Sequence, residues 1–489
     1  MQGLKSFLFE NKSIRQTVLK NTFWLTFGNI ISRLIRAVLI IYAARVLGVA
    51  GYGVFSYALS LAGFFAIFAD IGLTPLLTRE SARNPEKRTA YLSTALGIKF
   101  IFMAISALLI LFIAPLFAKL EGVQELFYII VFLFAFDTLR DFFFGYTRSI
   151  EKMEIEAGVS IITNLAILVL GAGALFLAPS TKLLTMGYTA GSAVGLFAVI
   201  FVLRKYLREI FSSFRKELVK PILTEAWPFA LAGLLGTIML NTDMLMLGWL
   251  KGASDVGLYS AAQKIILLVY LVPGYLIVSL FPSLSRLANT DNERFRSIFE
   301  KAIKAMFLLA FPFAVGGILL APRIISLVYG EAYSPAALAF TILLLTFFLV
   351  FPGTLISNAV FAYNKQKLFM WFIGLGAIAN VIFNFLLIPP YGIFGSAIAT
   401  IGSQLLANGF NWLAMKRINN FQTLIHLPKI IAAAALMSVF ILATSGLGIN
   451  VIVIIAAAAL VYFAALWLFK EPIIRDLNPL ALINGVKEG

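Results

Sequence analysis

The sequence predicts an all-α polytopic membrane protein of about 14 transmembrane helices, with two parallel-repeat six-helix lobes around a central cavity and two further C-terminal helices. Composition is the first observation behind this. Of 489 residues, 61% are hydrophobic and 13% charged, a balance foreign to a water-soluble domain of this length. Length is the second: apolar runs able to cross a hydrocarbon core of ~30 Å recur fourteen times. Charge placement is the third. With connectors assigned alternately to two sides, and charges at the ends of runs counted with the connectors, 29 of the 39 Lys and Arg fall on one side, five on the other and five in the run interiors. Cytoplasmic loops carry such an excess, so an even number of spans with both termini in the cytoplasm follows.

The runs lie at 22–45, 52–74, 90–116, 124–147, 157–178, 184–203, 223–249, 255–282, 302–321, 335–363, 367–389, 391–415, 428–446 and 449–469. Residues 1–20 carry Lys5, Lys12, Arg15 and Lys20 around a short apolar run and read as a cytoplasmic amphipathic lead-in, not a cleavable signal. Spans 1–6 form an N-lobe over 21–204, spans 7–12 a C-lobe over 223–417, spans 13 and 14 occupy 427–470, and 471–489 is a cytoplasmic tail. Between the lobes, 205–222 contains YLREIFSSFRKEL, whose Tyr206, Ile210 and Phe214 share a helical face, which predicts an in-plane linker helix. Asn84 before Pro85 and Glu86 predicts an N-cap with proline in the first turn. The string TDNE at 290–293 predicts a capping box on Thr290.

The halves repeat. GVFSYA at 53–58 corresponds to GLYSAA at 257–262, an offset of 204; Asn164 then falls opposite Asn380 and Gly187 opposite Gly395. Spans 1–6 and 7–12 both start inside, so the lobes are related by an axis along the membrane normal. Prolines break the symmetry. Pro75, Pro115 and Pro179 sit at span ends in the first lobe, whereas Pro228, Pro273, Pro312 and Pro352 lie inside spans of the second, which predicts a second lobe that bends more.

Several chemistries are excluded. Cysteine is absent, and a single histidine, His426, read as an interfacial loop residue, leaves no basis for a histidine metal site. No GxxxxGK[ST] string occurs, so energy input would come from an ion gradient or the membrane potential. The net charge of +16 reflects the sidedness of the loops and not a nucleic-acid surface.

The string NTFWLTFGNIISRLIRAVLIIYAARVLGVAGYGVFSYALSL, followed by FADIGLTPLLTRE at 68–80, resembles the Wzx-type polysaccharide flippases of the multidrug/oligosaccharidyl-lipid/polysaccharide flippase superfamily. The likeness extends over essentially the whole chain. It implies a non-enzymatic transporter in the cytoplasmic (inner) membrane that moves a polyprenyl-(pyro)phosphate-linked oligosaccharide to the outer leaflet by alternating access. Its implied partners are that lipid-linked glycan, membrane lipid, H⁺ or Na⁺, and glycan-assembly proteins, with no cofactor. In related lipid II flippases spans 13 and 14 form a groove for the lipid tail, which the resemblance implies for 428–469.

The candidate site residues are ionisable groups stranded in apolar helices, where a charge is costly and reads as function. Arg33 and Arg36, on one face near the middle of span 1, are candidate ligands for a pyrophosphate, since a guanidinium grips two oxygens at once. Lys264 in span 8 reaches similar depth beside Gln263, a candidate for sugar hydroxyls, and Lys99 in span 3 either joins them or snorkels to the interface. Arg140, flanked by Asp137 and Asp141, reads as a structural ion cluster. Asp243 in span 7, with Asn241 beside it, has two readings: an ion-coupling acid, or one half of a permanent pair with Lys264. Asp70 reads as a cap or pair at the inner interface. The amides Asn380, Asn384, Gln404, Asn408 and Asn411 either meet sugar or bond helices to each other.

Two other functions compete. A cation-coupled multidrug exporter of the same superfamily is the alternative, but fourteen runs and a cationic span 1 favour the flippase. A membrane-embedded glycan polymerase or ligase would need a sizeable outer loop, and every outer connector is short.

Overall fold

The computed structural model describes residues 9–11, 13–208, 210, 213–423 and 427–472. His426, the lead-in residues 1–8 and the tail beyond 472 lie outside the described residues. Every regular element among the described residues is helical, as lipid demands of a chain whose backbone groups must be satisfied within each segment.

In order the helices are α1 (Ile14–Asp70), α2 (Leu73–Arg83), α3 (Arg88–Leu108), α4 (Phe127–Ser149), α5 (Met153–Leu177), α6 (Thr181–Leu203), α7 (Val219–Leu250) and α8 (Ala253–Val269). Then follow α9 (Leu271–Leu287), α10 (Asn292–Phe311), α11 (Gly317–Tyr329), α12 (Ala336–Leu344), α13 (Phe347–Ala362), α14 (Gln366–Asn419), α15 (Pro428–Ser445) and α16 (Val451–Leu468). Ten helical segments among the described residues are long and apolar enough to cross a membrane, or eleven if the bent pair α12 and α13 is one span. The chain forms two compact units, Met1–Ser260 and Ala261–Gly489.

At 57 and 54 residues, α1 and α14 would each measure about 80 Å if straight, more than twice a hydrocarbon core. Each is broken at a glycine whose backbone a side chain would not tolerate: Gly48 at φ 68°, ψ −179° and Gly392 at φ 55°, ψ −130°. Gly252, which follows Gly48 by the repeat offset of 204, also has a positive φ.

In the first unit the repeat is visible as a contact. A Cβ on Gly53 would collide with the Ala253 carbonyl, and one on Gly257 with the Val49 carbonyl. One turn further along, the Ser260 hydroxyl donates to that of Ser56 at 2.9 Å. Ser56 thus meets its own counterpart in α8, and Gly53 and Gly257 each meet the residue one turn before the other's position, Ala253 and Val49, which are themselves counterparts. Small residues one helical turn apart let two helices approach to backbone contact without a hydrophobic driving force. Below the crossing, Leu76, Leu92, Phe142, Phe144, Val199 and Leu203 form the buried core of α2, α3, α4 and α6.

The linker differs from expectation. Residues 204–208 and 210 form turns and a bend, and Lys216–Leu218 a single 3-10 turn, where the sequence predicts an in-plane helix. Ile210 is buried against the α3–α6 core, and its carbonyl accepts from the Ser93 hydroxyl of α3, so tertiary contacts override the helical pattern. The lead-in also changes, because α1 begins at Ile14 under a Ser13 cap and runs unbroken into span 1. Lys20 is buried and pairs with Glu154 at 3.0 Å.

Both predicted caps shift. Asn84 makes no cap bond; its amide donates back to the Glu80 carbonyl and closes α2. Asp291, not Thr290, caps α10 by accepting from Arg294 N at 2.9 Å, while Thr290 donates to the Arg286 carbonyl of the preceding helix. A carboxylate is the stronger acceptor for an exposed N–H, which moves the start by one residue.

The second unit carries the expected irregularity. Pro312 opens a π-helical turn, Pro312–Gly316, and Pro273 lies just after the break at Tyr270. A second break precedes Pro352, at Leu345 and Thr346, and the hydroxyls of Tyr270 and Thr346 bond to each other, pinning the two breaks together. The first half is not free of such features, since a π-helical turn Leu109–Ile113 precedes Pro115. The α15–α16 hairpin is tied on by Tyr462, whose hydroxyl donates to the Leu308 carbonyl, by the Lys304–Glu471 pair, and by Arg323 on the Ser445 carbonyl.

Candidate functional site

Glycines bring the first unit's polar groups together. Cβ atoms on Gly28 and Gly171 would collide with Ala157 and Leu39, so α1 and α5 pack closely on both sides of Arg36. On α6, Gly187, Gly191 and Gly195 repeat every fourth residue, each against the α5 backbone or Thr163. This ladder leaves Tyr188 and Ser192 on the adjoining row.

Arg36 is half-buried, and its Nε donates to Asn164 Oδ1 of α5 at 2.8 Å. Its Cζ lies 5.8 Å from the centroid of the Tyr188 ring. Asn164 is itself fixed, with its amide nitrogen donating to the Ser160 carbonyl at 2.7 Å. Arg33, three residues earlier, is exposed on the helix surface, so the two arginines occupy different environments.

The other interior charges are paired. Lys99, 1% exposed, bonds Asp70 at 2.7 Å, and Asp70 also accepts from the Thr74 hydroxyl. Lys99 therefore does not snorkel, and Asp70 pairs inside the helix packing. Arg140 is held by Asp137 at 2.7 Å and Asp141 at 3.2 Å, the cluster its spacing predicts, and Ser192 donates to Asp137. Tyr188, beside Arg36, and Ser192, on Asp137, lie one turn apart on α6, so that helix joins the two groups. Of Arg36, Lys99 and Arg140, Arg36 alone has no carboxylate partner among the described residues.

Asp243 is 1% exposed and accepts from the Tyr259 hydroxyl at 2.7 Å. Asn241 donates to its own helix at the Thr237 carbonyl, and its amide oxygen lies against Gly63 of α1. Gln263 and Lys264 lie on the part of α8 that belongs to the second unit, Gln263 buried and Lys264 half-buried. In that unit Asn380 donates to Ser403 and Ser396 to Asn384 Oδ1, which joins the two arms of α14 across the Gly392 break, while Asn408 bonds Gln404 and Asn411 the Ala407 carbonyl, each four residues back on the same arm. The structure thus unites Arg36 with two residues outside the predicted set, Asn164 and Tyr188. The visible signal for them was a lone amide in an apolar run and a tyrosine beside a four-residue glycine ladder.

Fold and site together define an all-α polytopic membrane protein whose first unit sets Arg36, without a carboxylate partner among the described residues, among paired charges. The chain matches the polysaccharide biosynthesis protein family over residues 18–288, more than half its length, and belongs to that family. A match to the MatE family covers 228–386. A putative O-antigen transporter of Shigella flexneri is 23% identical over 395 residues, 78% of this chain and 94% of the relative. The probable flippase AglR of Haloferax volcanii is 25% identical over 409 residues, 78% of this chain and 80% of its own. Among solved structures, the lipid II flippase MurJ in an inward closed conformation superposes with a TM-score of 0.76 at 18% identity, covering 91% of this chain and 98% of that one. At that identity the likeness concerns the fold.

Proposed function

We propose that the protein is a flippase that carries a polyprenyl-(pyro)phosphate-linked oligosaccharide from the cytoplasmic to the outer leaflet by alternating access, for cell-surface polysaccharide or glycan synthesis. The observation that carries this reading is Arg36, a guanidinium inside an apolar helix with no carboxylate partner among the described residues. Such a group is costly in a bilayer and finds its compensation in an anion. Family membership and the named activities of the relatives support a transporter rather than an enzyme.

In this reading Arg36 and Arg33 receive the phosphate, Lys264 and Gln263 the sugar-proximal part, and Lys99 serves when it leaves Asp70. Asp243, with Asn241 nearby, binds the coupling H⁺ or Na⁺. The protein works in the cytoplasmic membrane with both termini inside, beside glycan-assembly proteins. Counting the two glycine breaks as turns between spans, and α4 as a span despite its charges, supports fourteen crossings in two six-helix lobes, 21–204 and 223–417, plus α15 and α16.

The second reading, a cation-coupled multidrug exporter, rests on the MatE match. A carboxylate-free arginine suits a cationic drug poorly, so the flippase is preferred. Complementation of a flippase-deficient strain tests the choice: wild type restores surface glycan and Arg33→Ala/Arg36→Ala does not. Full restoration by the double variant would remove the site.

A further inference from the structure

We infer that Asn164 and Tyr188 are positioning residues that fix Arg36 as an end-on clamp for the diphosphate of a prenyl carrier. This rests on the reading of Arg36 as the anion ligand. A guanidinium holds an oxyanion with two parallel N–H bonds either side-on, through Nε and one Nη, or end-on, through Nη1 and Nη2. Here the Nε–H is committed to Asn164 Oδ1 at 2.8 Å, which closes the side-on edge. The two Nη groups make no hydrogen bond among the described residues. They are the edge that remains for a ligand.

Asn164 cannot turn its amide over without loss. Its nitrogen donates to the Ser160 carbonyl at 2.7 Å, and only this orientation aims the oxygen at Arg36. The Arg36 Cζ lies over the Tyr188 ring, which is 4% exposed and held edge-on by Phe55 at 5.8 Å between centroids. An arginine hydrogen-bonded at Nε and drawn over an aromatic ring has fewer rotamers left to lose when a ligand arrives, and that preorganisation raises affinity without any new contact. Both braces are neutral, so neither spends the positive charge.

The second half lacks the arrangement. Asn380, the counterpart of Asn164, donates to Ser403, and the position 204 residues after Arg36 is Leu240. A single clamp on one side suits an asymmetric amphiphile with one charged end.

The test uses the full chain in lipid nanodiscs titrated with farnesyl diphosphate, with farnesol as the uncharged comparison. Arg36→Ala is expected to weaken diphosphate binding by about tenfold or more and to leave farnesol binding unchanged, as loss of a charge-assisted bidentate contact implies. Asn164→Asp, nearly isosteric, is expected to weaken it by a similar factor, because the new carboxylate neutralises the guanidinium. Asn164→Ala and Tyr188→Leu should each cost about threefold to tenfold, whereas Tyr188→Phe keeps the ring and should stay within about twofold of wild type. If Arg36→Ala weakens binding while Asn164→Asp, Asn164→Ala and Tyr188→Leu all bind as wild type, the positioning inference fails and the site reading stands. If Arg36→Ala binds the diphosphate as wild type does, the site reading fails and takes this inference with it. A parallel fall in farnesol and diphosphate binding in the Asn164 and Tyr188 variants marks them as packing residues and also overturns the inference.

Discussion

The hydroxyls of Ser56 and Ser260 lie 2.9 Å apart, and the two residues are 204 positions apart in the chain, the same offset that relates the sequence repeats. Each repeat therefore meets its own copy, with Gly53 and Gly257 admitting the opposing backbone one turn away. A contact of this kind is self-complementary, as in a two-fold interface, so one small-residue motif satisfies both sides.

The crossing can be locked. The chain has no cysteine, so Ser56→Cys/Ser260→Cys introduces a single pair on a clean background. Oxidation is expected to crosslink it, visible as a mobility shift, and to stop transport until reductant is added. Gly257→Ala is expected to lower stability by about 1–3 kcal/mol, measured as a fall in melting temperature, since its Cβ meets a backbone carbonyl that cannot give way locally.

The Lys99–Asp70 pair is structural in the state observed. Lys99→Met leaves Asp70 without its cation, and removing one partner of a buried pair costs about 3–5 kcal/mol. The low end applies, because the Asp70 side chain is 24% exposed. Lys99→Met/Asp70→Leu should recover most of the melting temperature; a double variant no better than the single would show that the pair is not the cause.

Asp243→Asn keeps an acceptor for the Tyr259 hydroxyl and removes the ionisable group. Substrate binding is expected to persist while transport loses its dependence on an imposed ion gradient. Retained gradient dependence would place coupling elsewhere.

The start of α10 offers a local check. Asp291→Ala is expected to cost about 1 kcal/mol through loss of the cap, and Thr290→Ala a few tenths, with both read from thermal unfolding. The reverse order would restore Thr290 as the cap.

Much of the fold was legible in the sequence because hydropathy over twenty residues is a strong signal and local charge spacing is unambiguous. The Arg140 cluster, built at i−3 and i+1, is of that kind. Pairings across the chain were not legible. Lys99 and Asp70 are 29 residues apart and Arg36 and Asn164 are 128 apart, and no helical periodicity links them. The linker failed for a related reason, since burial of Ile210 against α3 outweighs an amphipathic pattern that only a free surface helix would express. Arg33 and Arg36 share a helical face by spacing, yet the close α1–α5 packing half-buries one and leaves the other exposed.

The role proposed for Arg36 is to receive the anionic end of the transported lipid. The most direct measurement is the rate at which the purified protein, reconstituted in vesicles, moves a fluorescent prenyl-diphosphate-linked sugar between leaflets, compared for wild type, Arg36→Lys and Arg36→Ala. A graded loss is expected, partial for lysine, which keeps the charge but not the fork, and at least about tenfold for alanine. Equal rates for wild type and Arg36→Ala would contradict it.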